Sequence, residues 1–179
     1  SADVVVTDGH GQTYTMPVFF TIEGTNDAPT LTAGTPDAVM VEAGADAQGN
    51  PAAGTPTATV QLTHDDVDTD AAVTFDFGID NWTDNQDGTF SLDREYGRVT
   101  LAAATGTLTY VLDNDADAVQ ALGSGDPLSD SVTVTVNDGN GGVASATVSF
   151  SILGTNDLPV VTSAASFTVP EIATEVGYV

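Results

Sequence analysis

The stretch DGNGGVASATVSFSILGTNDLPVVT, Asp138 to Thr162, decides how this chain is read, because most of its pattern has already been written once. Shifted by 130 positions it falls on DGHGQTYTMPVFFTIEGTNDAPTLT, Asp8 to Thr32, with 12 of the 25 aligned positions identical. Several other positions exchange one β-branched or small residue for another. Each copy has the same parts in the same order: an Asp-Gly-x-Gly turn, an alternating apolar stretch, then Gly-Thr-Asn-Asp and a proline two residues on. A repeat identifies the structural unit before any other signal does.

That register divides the chain. Residues 1–27 read as the last hairpin of one unit with its outgoing linker, 28–157 as a complete unit, and 158–179 as the first strand of another. The hairpin and the terminal strand each lack most of a sandwich, so they are expected to pack on a neighbour or fray. A unit of this length has the size of an ordinary domain and buries roughly two thirds of the surface its unfolded chain exposes.

Within the complete unit the apolar residues alternate with period two and helical periodicity is nearly absent. TATVQL (57–62), AVTFDF (72–77), TLTYVL (107–112), SVTVTV (131–136) and ATVSFSIL (146–153) are predicted strands, with RVTLAAA (98–104) and GTFSL (88–92) as weaker ones. DADAVQAL (115–122) is the one predicted helical turn, and Gly, Asn and Asp punctuate the rest. Short strands at such spacing predict an all-β sandwich.

Composition narrows the function classes. Twenty-six acids face two arginines and no lysine, a net charge of −24. Binding nucleic acid needs cations against phosphate, so that class is excluded, as is an anionic membrane surface. No apolar run approaches a membrane span of about 20 residues, and no basic-apolar leader pattern opens the sequence. With no cysteine there are neither disulfides nor thiolate metal sites. Many acids only solvate a surface. Seven of these, however, fall in two tight runs, DDVDTD (65–70) and DNDAD (113–117).

In a seven-stranded sandwich whose termini leave at opposite ends, successive connections alternate between those ends. HDDVDTD and the NDGNGG turn then lie where the chain enters the unit, and DNDADA lies where it leaves. Both acidic regions therefore face a Gly-Thr-Asn-Asp linker. Calcium takes six to eight oxygens, and alternating carboxylates on a tight loop supply several at once. The candidate ligands at the entry end are Asn26, Asp27, Asp66, Asp68, Asp70 and Asp138. At the exit end they are Glu42, Asp113, Asp115, Asn156 and Asp157. A single Asp at any of these places is equally at home as a turn former.

Catalysis has little to stand on. His10 and His64 are the only histidines, and no nucleophile accompanies either. The segment IDNWTDNQDGTFSLDRE (79–95) offers another reading, in which Trp82 is a stacking platform and the domain binds a carbohydrate or peptide. Edge packing is the commoner fate of such a tryptophan. The Thr83-Asn85-Asp87-Gly88 spacing mimics a calcium loop without its first acid and reads as a hairpin turn.

VNDGNGG, a strand, then GTNDLP resembles the end of a cadherin repeat. DDVD (65–68) resembles its Asp-x-Asp loop, TGTLTYVLDND (105–115) the stretch ending in its Leu-Asp-Arg-Glu motif, and TVPEIA (168–173) its Pro-Glu motif, with VMVEAG (39–44) a weaker copy carrying Glu42. The literal LDRE (92–95) stands too early in strand order and is set aside, Asp93 and Glu95 being kept only as fallback ligands. More closely, Tyr96 to Pro159 resembles the VCBS repeat, a cadherin-like module of giant bacterial adhesins of the repeats-in-toxin type. The resemblance implies an Ig-like, cadherin-like fold in tandem repeats and Ca2+ at the junctions between neighbouring repeats of one chain. It further implies a monomeric rod outside the cell, exported by a type I route, that holds distal ligand-binding domains away from the surface in adhesion and biofilm formation.

Overall fold

The computed structural model describes residues 1–69 and 71–159. Two hairpins precede the main strands or flank them. β1 (Ala2–Thr7) pairs with β2 (Thr13–Val18), and further along, after β3 (Thr30–Ala33) and β4 (Met40–Val41), β5 (Gly44–Ala45) pairs with β6 (Pro51–Ala52). Then follow β7 (Thr57–Asp65), β8 (Thr74–Phe75), β9 (Thr83–Asp84), β10 (Thr89–Arg94), β11 (Gly97–Ala102) and β12 (Thr107–Leu112). A single helical turn α1 (Asp117–Gln120) leads to the long hairpin β13 (Pro127–Asn137) and β14 (Val143–Leu153).

Two sheets enclose the core. One has six strands in the order β3-β7-β12-β11-β10-β9 and the other four in the order β4-β14-β13-β8, antiparallel throughout except that β4 runs parallel to β14. The period-two pattern explains why they meet. Ala58, Val60 and Leu62 of β7 and Leu108, Tyr110 and Leu112 of β12 are buried on one side, and Val132, Val134, Val136, Val148, Phe150 and Ile152 on the other. The Tyr110 and Phe150 rings lie 5.0 Å apart across that interface. Val119 of α1 is fully buried and closes one end. The molecule is an all-β sandwich.

One polar fork ties the sheets together. Arg94 on β10 donates to both carboxylate oxygens of Asp130 on β13, at 2.7 and 3.1 Å, and the Tyr110 hydroxyl donates to the same carboxylate at 2.9 Å. Burial works to raise the Asp130 carboxyl, yet the bonds from Arg94, Tyr110 and the Ser131 N–H hold it below the ordinary range. Arg98 instead reaches Asp93 at the surface, where such a pair contributes little. Both arginines of the chain thus serve the sandwich and leave its ends to the acids.

Local chemistry sets the strand lengths. AVTFDF forms only the two-residue β8, because past Phe75 the chain turns and the Asp76 carboxylate accepts the Gly78 N–H. The two weaker stretches form full strands, since Val99 and Leu101 of β11 are sealed between neighbours on both edges. Three turns share one device. Asp8, Asp46 and Asp138 each accept the N–H groups of the residues two and four further on. The fourth residue of each turn is a glycine with positive φ: Gly11 at 80°, Gly49 at 80° and Gly141 at 107°.

Candidate functional site at the two ends of the sandwich

The entry end gathers three loops around the first linker. Asn26 donates its amide to Asp138 Oδ2 at 2.8 Å, and the Asp27 N–H donates to Asp68 Oδ2 at 2.8 Å. The Asp68 N–H in turn donates to Asp66 Oδ1 at 2.9 Å. Asp138, at the tip of the β13–β14 hairpin, is only 2% exposed, and its other oxygen is taken by the Asn140 and Gly142 N–H groups. The Asn26 amide, together with those turn N–H groups, holds this carboxyl below its ordinary range against a smaller opposing effect of burial. Asp66 Oδ2 is different: it is buried and accepts no hydrogen bond from the described residues. Linker, Asp-x-Asp loop and hairpin tip therefore converge through Asn26, Asp27, Asp66, Asp68 and Asp138, while Asp70 lies outside the described residues.

The exit end is built around Glu42, which has no exposed surface. Its Oε2 accepts the Thr155 N–H at 3.0 Å and its Oε1 the Gln120 amide at 3.2 Å. Burial pushes the Glu42 carboxyl up; the Thr155 bond opposes this and the nearby charge of Asp157 adds to it. The Glu42 carbonyl accepts the Thr155 hydroxyl at 2.8 Å, and the Ala45 N–H donates to the Asn156 carbonyl at 2.7 Å. Residues 40–45 thus run alongside the outgoing linker and stitch it to the sandwich. Asp113 folds the acidic run into a turn by accepting the Asp115 N–H at 3.0 Å, and between them Asn114 accepts the Ala43 N–H at 2.7 Å. Asp113 and Asp115 themselves face solvent.

The two linkers share a detail. Asn26 donates to the Asp27 carbonyl and Asn156 to the Asp157 carbonyl, both at 3.0 Å. The repeated Asn-Asp therefore adopts the same local bond in both copies.

Among the described residues, no three Asp, Glu or His side chains meet as a ready metal cage. Asp138 and Glu42 have both oxygens occupied by donors, whereas Asp66 Oδ2 is the one buried side-chain oxygen among the described residues without a partner. The residues present still suit a hard cation, because they are all oxygen donors and one of them is buried without a partner.

Sequence reading missed Gln120, Asn114 and Thr155, which position Glu42 and its strand. Asn114 stands inside the acidic run and could have been included with it. Nothing in the pattern pointed to Gln120, which meets Glu42 only because α1 packs there. Elsewhere, the 79–95 segment forms the β9–β10 hairpin at one edge of the six-stranded sheet. Trp82 is half-buried, edge-on to Phe77 at 5.8 Å, and Phe77 stacks on Phe90 at 3.5 Å. Asp93 lies on β10 against Arg98, engaged at the sheet surface.

In comparisons with known proteins, no protein-family model matches the chain. No curated protein matches it either.

Proposed function

We propose that this chain is a structural extender: a cadherin-like sandwich strung in tandem, whose junctions bind calcium and so stiffen a bacterial surface adhesin outside the cell. The observation that carries the reading is Asp66, whose buried Oδ2 has no hydrogen-bond donor among the described residues, in a loop that touches the incoming linker through Asp68. An unsatisfied buried charged oxygen is costly by a few kcal/mol, and a divalent cation is the ligand that relieves it. Asp138, Asn26 and Asp27 stand beside that loop on separate segments. An ion shared among them would tie linker to sandwich, and bending the junction would pull ligands off the metal. At the exit end Glu42, Asp113, Asp115, Asn156 and Asp157 would serve the next junction in the same way. The role is mechanical, with no catalytic step and no partner beyond neighbouring repeats.

The test is a thermal melt in about 10 mM calcium and in excess chelator, at matched ionic strength. Extracellular calcium modules bind at about 10⁻⁴–10⁻³ M. At a hundredfold excess over Kd each site adds about 2.7 kcal/mol, and for a domain of this size that raises Tm by roughly 5–10 °C. Asp66→Asn should remove most of the rise. Equal melting in calcium and chelator would sink the proposal.

A further inference from the structure

The β1–β2 hairpin repeats the β13–β14 hairpin in backbone register as well as in sequence. Ala2 pairs with Val18, Val4 with Met16 and Val6 with Tyr14; 130 positions later, Val132 pairs with Val148, Val134 with Ala146 and Val136 with Ala144. The turns match bond for bond: Asp8 accepts from His10 and Gln12 as Asp138 accepts from Asn140 and Gly142. The surroundings differ. Val132, Val134, Val136, Val148, Phe150 and Ile152 are at most 3% exposed against the six-stranded sheet, whereas Val4 is 44%, Val6 60%, Tyr14 70%, Phe20 69% and Ile22 93% exposed.

The pairing puts Ala2, Val4, Val6, Tyr14, Met16 and Val18 on one face of the hairpin, and Asp3, Val5, Thr7, Thr13, Thr15 and Pro17 on the other. In a chain carrying 26 acids, that first face holds no charge at all. A contiguous apolar face of this kind marks a contact surface. Its counterpart already has a known cover in this molecule, namely the face of β7, β12 and β11 lined by Val60, Leu62, Leu101, Leu108 and Tyr110.

We infer that the apolar face of the β1–β2 hairpin is half of an inter-sheet interface, and that the partner it fits is a second sheet of the β3-β7-β12-β11 kind lying ahead of Ser1 in the same polypeptide. This rests on the tandem reading given above but not on calcium. The hairpin closes one sandwich while its Asn26 and Asp27 are anchored on the next, through Asp138 and Asp68. Each linker thus leaves directly from the element that completes the sandwich behind it.

The chain contains the means to test this. Because residue 131 aligns with residue 1, placing residues 28–130 ahead of Ser1 creates a chain in which β1–β2 stands where β13–β14 stands in the described sandwich. Hydrogen exchange of the Val4–Val6, Tyr14–Met16 and Val18 amides should slow by at least about 100-fold relative to the 179-residue chain, since burial in a cooperative sandwich replaces local opening by global unfolding. Val6→Asp should abolish that gain and leave β13–β14 exchange unchanged.

Tyr14 and Met16 replace the smaller Ala144 and Ala146, so a second version carries Tyr14→Ala and Met16→Ala to remove overpacking. If the hairpin amides stay unprotected in both versions, the inference is overturned. It is equally overturned if the 179-residue chain forms a dimer through this face that persists in the extended chain, which would assign the face to a second copy. Running the exchange in calcium and in chelator separates the two proposals. Protection that forms in both while melting ignores calcium would remove the ion reading and keep this one.

Discussion

Glu42 is the residue at which burial and charge conflict most plainly. It has no exposed surface and no cationic partner, and both its oxygens rely on neutral donors, Thr155 and Gln120. Its carboxyl is raised chiefly by burial, so the folded protein keeps this proton to higher pH than the unfolded chain does. In the window just above the ordinary glutamate range the folded state then binds more protons than the unfolded one, and stability falls as pH rises through it. Glu42→Gln should flatten that slope in chelator. The check is the difference in urea stability between parent and variant from pH 4 to 7; parallel curves would mean Glu42 does not titrate in this way. The position was legible in the sequence as the acid of VMVEAG, the weaker copy of a Pro-Glu motif. That it is sealed under Thr155 and Gln120 depends on where α1 packs, which no local pattern encodes.

Turns carry the information at the scale of elements. The Asp-Gly-x-Gly turns at 8 and 138 were read from the sequence because Asp accepts the turn N–H groups and Gly supplies positive φ, and the structure adds a third turn of the same kind at Asp46. The β11–β12 turn shows what packing adds. Gly106 has φ 69°, donates to the Ala102 carbonyl at 2.9 Å and accepts from the Leu62 N–H at 2.8 Å, and a Cβ there would collide with the Leu62 carbonyl. Gly139 has φ 77° but open space around it. A left-handed conformation alone costs an L residue roughly 1–2 kcal/mol. Gly139→Ala should therefore lose about 1 kcal/mol, and Gly106→Ala about 3 kcal/mol because the β7–β12 pairing must shift as well. Urea unfolding of the two variants measures this, and equal losses would refute the packing argument. Strand strength follows the same division. β8 is shorter and β10 longer than their alternation suggested, because edge position and neighbours on both sides decide where a strand ends.

Over the whole molecule the net charge of −24 is a standing repulsion. Raising sodium chloride from about 20 to about 500 mM shortens the screening length from roughly 20 to roughly 4 Å, so Tm in chelator should climb by several degrees. An unchanged Tm would show that the acids are already far enough apart to ignore one another. What the sequence determined by itself was whatever depends on order along the chain: the 130-residue repeat, the all-β class from period two, the turn residues, and the gathering of acids into two runs. Alternation and turn chemistry are local, so a single chain displays them. Only the tertiary structure decided which strands share a sheet, that Arg94 and Tyr110 fork onto Asp130, that Asp66 Oδ2 lacks a donor among the described residues, and that the hairpin's apolar face lies open. Those facts join residues tens of positions apart, and free energy gained by burying them together has no counterpart in any short stretch of sequence.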